Sequence, residues 1–311
     1  MYKNKIIAVI IPCYNENQFI KNVIDSIPDY VDFIIPVDDC STDDTCNILK
    51  IIQSNKIRVL QTDKNSGVGG ATKLGISEAI KLDTDIIVKI DGDGQMPILT
   101  LPEFLDVITD DNYDYAKGNR FIDAISLKNM PKYRLFANII LTFFNKLGSG
   151  YWNIFDPQNG FLSIKAEKVK KFDFSKVHDH YFFENHMLLQ ANIYNLKVKD
   201  IAVETIYGEE TSHINLWKVL FTFPILFIKM FIYRMYQKYI LRDFSPIILF
   251  LVFGSCLFLF GFIFGAYNWI QSIITNTYAS TGTIMIATVC LILGFQLLLQ
   301  AIVLDINNTP K

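Results

Sequence analysis

Short apolar runs alternate with helix-like patterns along the first part of the chain. Apolar stretches of strand length occupy residues 6–11, 33–37, 57–61 and 86–90, and segments with helical spacing of apolar residues adjoin them. This alternation predicts a mostly parallel sheet with helices on both faces. Ligands of such sheets bind beyond the carboxyl ends of the strands, so the residues that follow each strand are the first candidates for a site.

The C-terminal part of the chain has a different pattern. Residues 244–304 include no Asp, Glu, Lys, Arg or His, although the chain has 29 basic and 31 acidic residues. Within this block, 246–270 and 283–304 are each long enough to span a bilayer, which takes about 20 apolar residues. The pattern argues against a purely soluble protein and against a multi-span transporter. The alternative is a hairpin buried in a soluble core, but soluble helices are seldom apolar on all sides.

The segment 215–242 mixes aromatic and aliphatic residues with cations. It predicts amphipathic helices in the headgroup layer, divided at Pro224, with a pair of ordinary surface helices as the alternative. The basic residues before the first span, opposed by the single acid Asp243, are Lys218, Lys229, Arg234, Lys238 and Arg242. This excess of positive charge predicts that the large N-terminal body and both chain ends are cytoplasmic.

These patterns divide the chain into four segments. We predict a cytoplasmic α/β domain at 1–213, amphipathic juxtamembrane helices at 214–243, a transmembrane hairpin at 244–305 and a short cytoplasmic tail at 306–311. The five cysteines include no C-x-x-C pair, so reduced thiols are expected rather than disulfides or a zinc site. The net charge of −2 argues against nucleic acid as a partner.

Carboxylates follow three of the predicted strands. PCYNE follows the first strand, DDCSTDDT the second and DGDGQ the fourth. Within the second, Ser41 to Asp44 is typical of a helix capping box. Asp91 and Asp93 flank Gly92 on a turn with Gln95 next, and hard oxygen ligands of this kind suit Mg²⁺ or Mn²⁺. The glycine-rich stretch 65–71 lacks the lysine of a phosphate-binding loop and predicts a helix start with close backbone packing.

Six motifs in order carry a family resemblance: VIIPCYNE, VDDCSTDDT, KIDGDGQM, KGNRF, DPQNGF and YFFENHML, followed by YGEE. They resemble the family 2 glycosyltransferases of GT-A fold, and among them the polyprenyl-phosphate sugar transferases such as dolichyl-phosphate mannose synthase and bacterial undecaprenyl-phosphate glucosyltransferases. The resemblance covers about residues 5–213 and implies a GT-A type, Rossmann-like sheet. It also implies a nucleotide-sugar donor linked to UDP or GDP, a polyprenyl phosphate acceptor and an Mg²⁺ or Mn²⁺ cofactor.

The resemblance also implies roles for individual residues. The expected donor-binding residues are Pro12, Tyr14, Glu16, Val37, Asp39, Asp91, Gly92, Asp93 and Gln95. Among these, Asp91, Asp93 and Gln95 are the expected metal ligands. Asp93, Arg120 and Arg134 are the expected catalytic residues, and the two arginines are expected to hold the acceptor phosphate. Asp156 and Glu184 are candidates for a sugar-binding or base role.

The expected reaction needs no base, because a lipid phosphate is already anionic. Single displacement on the sugar would invert its anomeric configuration. Two departures from the family pattern concern Thr205 and Thr211, which stand where mannose synthases carry cations, so that His213 or Lys218 would have to replace them. A third is His186, at a position where the family usually has an acid, which is either a pH-sensitive ligand or a buried hydrogen-bonded histidine.

Two other functions are compatible with the sequence. A family 2 transferase acting on a hydroxyl of a lipid-linked glycan or wall polymer would need a general base, for which Asp156 or Glu184 is available. A non-catalytic membrane scaffold that retains the nucleotide-binding fold is the other alternative. The sequence does not specify the sugar, the nucleotide or the polyprenol, and self-association through the spans is compatible with it.

Overall fold

A seven-stranded, mostly parallel sheet organises the N-terminal part of the computed structural model. The structure describes residues 1–52, 54–122, 132–204 and 216–310, without the side chains of 132–138 and 216–221. The strands are β1 (Ile7–Cys13), β2 (Phe33–Asp38), β3 (Leu60–Gln61), β4 (Ile86–Lys89), β5 (Tyr115–Asn119), β6 (Leu162–Lys165) and β7 (Val198–Ala202). Their order in the sheet is β3-β2-β1-β4-β6-β5-β7. Among the strands of the described residues, β6 alone runs antiparallel to its neighbours, so β4 and β5 point the same way on either side of it.

Helices cover both faces of this sheet, as predicted. The helices of this region are α1 (Ile20–Ser26), α2 (Thr45–Ile51), α3 (Gly67–Lys81), α4 (Leu101–Thr109), α5 (Lys132–Ser149), α6 (Ala166–Val169) and α7 (Phe183–Ile193). Alternate residues of β1 enter two separate cores: Ile7 packs in the core that includes α1 and α4, and Ile10 in the one that includes α3 and α7. Because both faces are buried, the strand sequence is a continuous apolar run rather than an alternating one.

The glycine-rich stretch begins a helix, as predicted. Helix α3 starts at Gly67, and the backbone N–H of Gly69 donates to the carbonyl of Asp179 at 2.7 Å. Six residues further along, a β-carbon at Gly75 would overlap the side chain of Ile10 on β1. These glycines therefore allow α3 to lie close to the sheet and to the segment before α7.

Two local predictions were wrong. Helix α2 has Asp44 at its N-cap with no side-chain cap; Ser41 instead accepts a hydrogen bond from the backbone N–H of Asn15 at 3.0 Å. Pro224 does not divide the segment 215–242 into two helices. Helix α8 (Leu216–Tyr236) continues through the proline and is followed by a π-helical turn at 237–242. Phe223 and Phe227, on either side of the proline, both pack against Phe182, and these contacts hold the helix together where one backbone hydrogen bond is missing.

The chain divides into two compact units, 1–230 with 310–311, and 231–309. The boundary lies inside the segment predicted as juxtamembrane, and the functional division proposed from the sequence stays a prediction. The second unit contains α9 (Pro246–Thr275) and α10 (Thr281–Asn307), which are long and apolar enough to cross a membrane. They pack closely at glycines, since a β-carbon at Gly294 would lie 2.5 Å from the backbone nitrogen of Phe258.

A buried ion pair links the beginning of the second unit to its end. The guanidinium of Arg234 is inaccessible to solvent and binds both oxygens of Asp305, at 2.6 and 2.9 Å. The hydroxyl of Tyr239 donates to the same carboxylate at 2.7 Å. Asp305 is the first charged residue after the uncharged block, so this pair joins the cationic segment to the end of α10.

Candidate active site

The loops that follow β1 and β2 are bound to each other. Besides the Asn15 contact, the backbone N–H of Glu16 donates to Thr45 Oγ1 at 2.8 Å, and that of Asn17 donates to Asp43 at 3.2 Å. The turn after β4 lies against the same place, because a β-carbon at Gly92 would lie 3.4 Å from Glu16 Cγ. Three of the predicted motifs thus meet at one edge of the sheet.

The predicted donor-binding residues differ in exposure. Pro12 and Val37 are paired in the register of β1 and β2, and both are buried. Tyr14, two residues after Pro12, has 46% of its surface exposed, and Glu16 is half-buried. The first two therefore form the floor at this edge, whereas the tyrosine ring is accessible to a ligand.

Asp39 is buried and fully engaged within the chain. One of its carboxylate oxygens accepts hydrogen bonds from the hydroxyl of Thr62 at 2.8 Å and from the backbone and hydroxyl of Ser66 at 2.8 and 2.7 Å; the other accepts from the backbone N–H of Gly67 at 2.6 Å. These bonds fix the start of α3. Asp39 as a donor contact stays a prediction, and the geometry adds a structural role.

A cleft of about 1010 Å³ opens beside the D-x-D turn. Its lining residues come from the loop after β1, from α1 and from the turn after β4, and they include Asn15, Asn17, Phe19, Asn22, Asp91, Asp93, Gln95 and Met96. The predicted metal ligands Asp91, Asp93 and Gln95 therefore share one cavity. Its size, and a mostly apolar lining that carries a few polar groups, suit a nucleotide-sized ligand.

The D-x-D turn is shaped by its own backbone. Asp93 accepts a hydrogen bond from the backbone N–H of Gln95 at 2.9 Å, and Gly94 between them has a φ of +74°, which favours glycine. Among the described residues, no group of three or more His, Cys, Asp or Glu side chains is placed to hold a metal. A hard cation fits two carboxylates and an amide when diphosphate and water supply its other oxygen ligands.

A buried lysine, not predicted from the sequence, lies beneath this turn. The ammonium of Lys89, the last residue of β4, is 2.6 Å from Asp91 Oδ1 and 3.4 Å from Glu184 Oε1. Burial alone would lower the pKa of Lys89, but the two carboxylates raise it above its ordinary value. Lys89 is therefore a buried cation that directs Asp91 and joins it to α7.

Arg120 is held by Asp156. Its Nε and Nη2 atoms donate to the two carboxylate oxygens at 2.7 and 3.0 Å, and its backbone N–H donates to one of them at 3.1 Å. Asp156 is 2% exposed at its side chain and Arg120 is 38% exposed. The buried acid thus fixes an accessible guanidinium. Arg134 belongs to the first turn of α5, and its side chain lies outside the described residues.

The DPQNGF loop joins the acidic turn to this arginine. It begins with Asp156, and at its other end a β-carbon at Gly160 would overlap the carboxylate of Asp91. Between them, the backbone carbonyl of Asn159 accepts a hydrogen bond from the ammonium of Lys117 at 2.5 Å. Burial lowers the pKa of Lys117 to about 8, partly opposed by the charges of Glu184 and Asp156.

Asp200 on β7 fixes the start of the arginine-bearing segment. One of its carboxylate oxygens accepts from the Asn119 side chain at 2.7 Å and from the backbone N–H of Phe155 at 2.9 Å. Burial raises the pKa of Asp200 to about 6. Sequence reasoning missed this residue because it lies 80 positions away from Arg120, with no motif around it.

Glu184 and His186, two residues apart near the start of α7, have different surroundings. Glu184 is 8% exposed at its side chain and faces Lys89. His186 accepts a hydrogen bond from the backbone N–H of His178 at 2.9 Å and packs edge-on against Phe182. Burial, and then the nearby His178 and Lys73, lower the pKa of His186 to about 4. The geometry favours the second of the two predicted roles, a neutral hydrogen-bonded histidine.

Comparison with known proteins identifies the family of this chain. The model of the family described as "Glycosyl transferase family 2" matches residues 8–172. The chain belongs to glycosyl transferase family 2. It is 31% identical over 221 residues to a UDP-N-acetylglucosamine–dolichyl-phosphate N-acetylglucosaminyltransferase of Methanococcus voltae, covering 66% of this chain and 88% of that protein. An uncharacterized protein of Methanocaldococcus jannaschii is also 31% identical, over 69% of this chain and 89% of its own length.

Solved structures show the same fold. Glucosyl-3-phosphoglycerate synthase from Mycobacterium tuberculosis, crystallised with Mn²⁺, UDP and glucosyl-3-phosphoglycerate, superimposes with a TM-score of 0.54 at 19% identity, over 74% of this chain and 80% of that one. The same enzyme with Mn²⁺, UDP-glucose and phosphoglyceric acid gives 0.55 at 18% identity, over the same shares. The predicted GT-A fold is thus confirmed.

Within this family 2 glycosyltransferase, part of the predicted site lies outside the described residues. Thr205, Thr211 and His213 are among these, as is the side chain of Lys218. The roles assigned to them, and to the individual donor, metal and acceptor residues, stay predictions.

We expect replacement of His186 to reduce the acid sensitivity of the transferase. A pKa of about 4 in the fold, against about 6.5 in the unfolded chain, means that protonation favours unfolding. The stability that the fold gains by keeping His186 neutral is complete above pH 6.5 and is lost as the pH falls through 4. At pH 5 this contribution to the free energy of unfolding is smaller by roughly 1–2 kcal/mol for this largely buried ring.

The measurement is the urea concentration at the midpoint of unfolding of the first compact unit (1–230, called the catalytic unit below). It is taken at pH 7.5 and 5 for His186→Gln and for the unsubstituted protein. His180→Gln, at an exposed neighbouring histidine, serves as the control. Equal acid-induced losses in His186→Gln and the unsubstituted chain would contradict the assignment of a neutral, buried His186.

Proposed function

We propose that this family 2 transferase moves a sugar from a UDP- or GDP-linked donor to polyprenyl phosphate at the cytoplasmic surface of a membrane. The Methanococcus voltae relative is named for transfer from a UDP sugar to dolichyl phosphate, and the chain carries two helices long and apolar enough to cross a membrane. Both features support a lipid-linked acceptor.

The burial of the two candidate bases favours a phosphate acceptor over a hydroxyl acceptor. Asp156 and Glu184, the carboxylates that a hydroxyl acceptor would need, are 2% and 8% exposed at their side chains and are paired with Arg120 and Lys89. A general base must lie within hydrogen-bond reach of the hydroxyl it deprotonates, and a buried carboxylate that already binds a cation offers a substrate little access. A phosphate acceptor needs none, because its oxygen is already anionic.

The remaining task of the protein is to position the reactants. We propose that Asp91, Asp93 and Gln95 hold Mg²⁺ or Mn²⁺. When bound, the cation stabilises the negative charge of the departing diphosphate. Arg120, held by Asp156, receives the acceptor phosphate with Arg134, and the planar guanidinium offers two parallel donors to phosphate oxygens. Attack from the face opposite the departing diphosphate inverts the anomeric carbon.

The function is tested with the full-length protein in detergent, a panel of nucleotide sugars, polyprenyl phosphate and Mg²⁺ or Mn²⁺. Mass analysis of the lipid should show a sugar joined through an acid-labile phosphate link. Asp93→Ala should lower the rate roughly 100-fold or more, whereas Glu167→Ala, on the exposed first turn of α6, should not. A near-normal rate for Asp93→Ala with Mn²⁺, or a sugar joined to a hydroxyl, would contradict the proposal.

Asp156→Asn separates positioning from base catalysis. The substitution preserves shape but removes the charge that fixes Arg120, so the KM for polyprenyl phosphate should rise about tenfold or more, while the KM for the nucleotide sugar changes little. Asp83→Asn, at an exposed site with a φ of +50° that suits asparagine, is the matched control. A fall in kcat alone, with a pH profile that loses one ionisation, would indicate instead that Asp156 acts as a base.

A further inference from the structure

Asp200 binds the backbone segments on both sides of the pair formed by Arg120 and Asp156. Its oxygen Oδ2 accepts hydrogen bonds from the side-chain amide of Asn119 at 2.7 Å and from the backbone N–H of Phe155 at 2.9 Å. Asn119 directly precedes Arg120 in the chain, and Phe155 directly precedes Asp156. One carboxylate oxygen therefore joins the two segments that bring the arginine and its acid together.

The side chain of Asn119 extends this contact past the arginine. Its amide oxygen accepts a hydrogen bond from the backbone N–H of Phe121 at 2.8 Å, so the residues before and after Arg120 are both fixed. The sheet supports this arrangement, because β5 and β7 are parallel neighbours with Asn119 opposite Ala202. The direction in which Arg120 leaves the backbone thus depends on Asp200.

The second oxygen of Asp200 has different surroundings. Among the described residues, Oδ1 is a buried atom with no hydrogen-bond partner. Burial raises the pKa of Asp200 to about 6, although its two hydrogen bonds and the charge of Lys117 oppose the rise. The contribution of Asp200 to stability is therefore complete below its ordinary pKa of 3.8 and is lost as the pH rises through 6. Its ionised form destabilises the fold at neutral pH.

The charged groups around Asp200 belong to the acceptor side of the site. They are Lys117 on β5, Asp156 on the loop before β6, and Lys146 on α5. Helix α4 packs on the opposite face of β7, in the core that includes Ile201. An acid whose ionisation lowers stability, and which lies within a set of charges beside a cleft, is typical of a functional site.

We propose that Asp200 positions the acceptor phosphate indirectly, by keeping Arg120 opposite Asp156 through the backbone beside each of them. The inference rests on the proposed function, in which Arg120 receives that phosphate. Hydrogen bonds to an ionised acceptor are roughly twice as strong as those to a neutral one. Protonation of Asp200 therefore loosens both segments, and acceptor binding weakens as the pH falls through the range in which this acid titrates.

The test measures KM values between pH 5 and 8 for the full-length protein in detergent, with the nucleotide sugar that it uses and with polyprenyl phosphate. Asp200→Asn keeps an oxygen that accepts both hydrogen bonds but has no charge, so it resembles the protonated acid. Asp111→Asn is the matched control, because Asp111 is an exposed acid that pairs with Lys199, the neighbour of Asp200 on β7.

The informative quantity is the KM for polyprenyl phosphate in Asp200→Asn divided by that of the unsubstituted protein. This ratio should be roughly fivefold at pH 8 and approach one at pH 5, where both proteins carry a neutral group. The acceptor phosphate itself titrates at about pH 6, but this affects both proteins alike and cancels in the ratio. The same ratio for the nucleotide sugar, and both ratios for Asp111→Asn, should stay near one.

Urea unfolding separates positioning from a purely structural role. Because ionised Asp200 destabilises the fold, Asp200→Asn should unfold at the same urea concentration as the unsubstituted catalytic unit at pH 7.5, or at a higher one. A raised acceptor KM in a variant of undiminished stability is a result that a structural role does not give.

The outcomes that overturn the inference differ from those that contradict the proposed function. A KM ratio that is constant between pH 5 and 8, or equal increases for donor and acceptor, would overturn the positioning role while transfer to polyprenyl phosphate stands. A lowered urea midpoint with an unchanged acceptor KM would also overturn it, since Asp200 would then be structural. Absence of a lipid-phosphate product from the unsubstituted protein would contradict the proposed function, and the role of Asp200 with it.

Discussion

The burial of the Lys89 ammonium between two carboxylates is the interaction on which the arrangement of the site depends. A lysine at the end of a central strand, 1% exposed, is destabilising by several kcal/mol unless it is paired. Its partners are Asp91, two residues along the chain, and Glu184, at the start of α7. The pairing therefore fixes the D-x-D turn to a helix that is far away in sequence.

From this pair the remaining contacts extend across the sheet edge. The strand β6 separates β4 from β5, and the DPQNGF loop before β6 lies over the gap. Its glycine end meets Asp91, and its aspartate end holds Arg120. Asp91 and Arg120, which we propose serve the donor and the acceptor, are thus held by the buried Lys89 and Asp156 and joined by this loop. These contacts keep the two groups at a fixed spacing.

The fold could be predicted from the sequence because the apolar runs of β1, β2 and β4 are local signals, and parallel strands bring the residues that follow them to one edge. The position of the D-x-D turn follows from the same rule. Lys89 could not be identified in this way, since one charge in an apolar strand has no local pattern, and its partner Glu184 is 95 residues away. Asp156 was predicted as a base or sugar ligand. Its pairing with Arg120 could not be predicted, because only the folded chain shows that its two oxygens face that arginine. Pro224 lies inside a helix because of aromatic packing on Phe182, which no propensity describes.

The claim that these buried charges act as one unit is tested most directly by a double-mutant cycle on the stability of the catalytic unit. Lys89→Met and Glu184→Gln, alone and combined in the full-length protein, would be compared by urea unfolding in detergent. Each single substitution leaves a buried charge with a missing partner and should lower the free energy of unfolding by about 3 kcal/mol. The account predicts that the double variant loses at least ~1 kcal/mol less than the sum of the two; additive losses would contradict it.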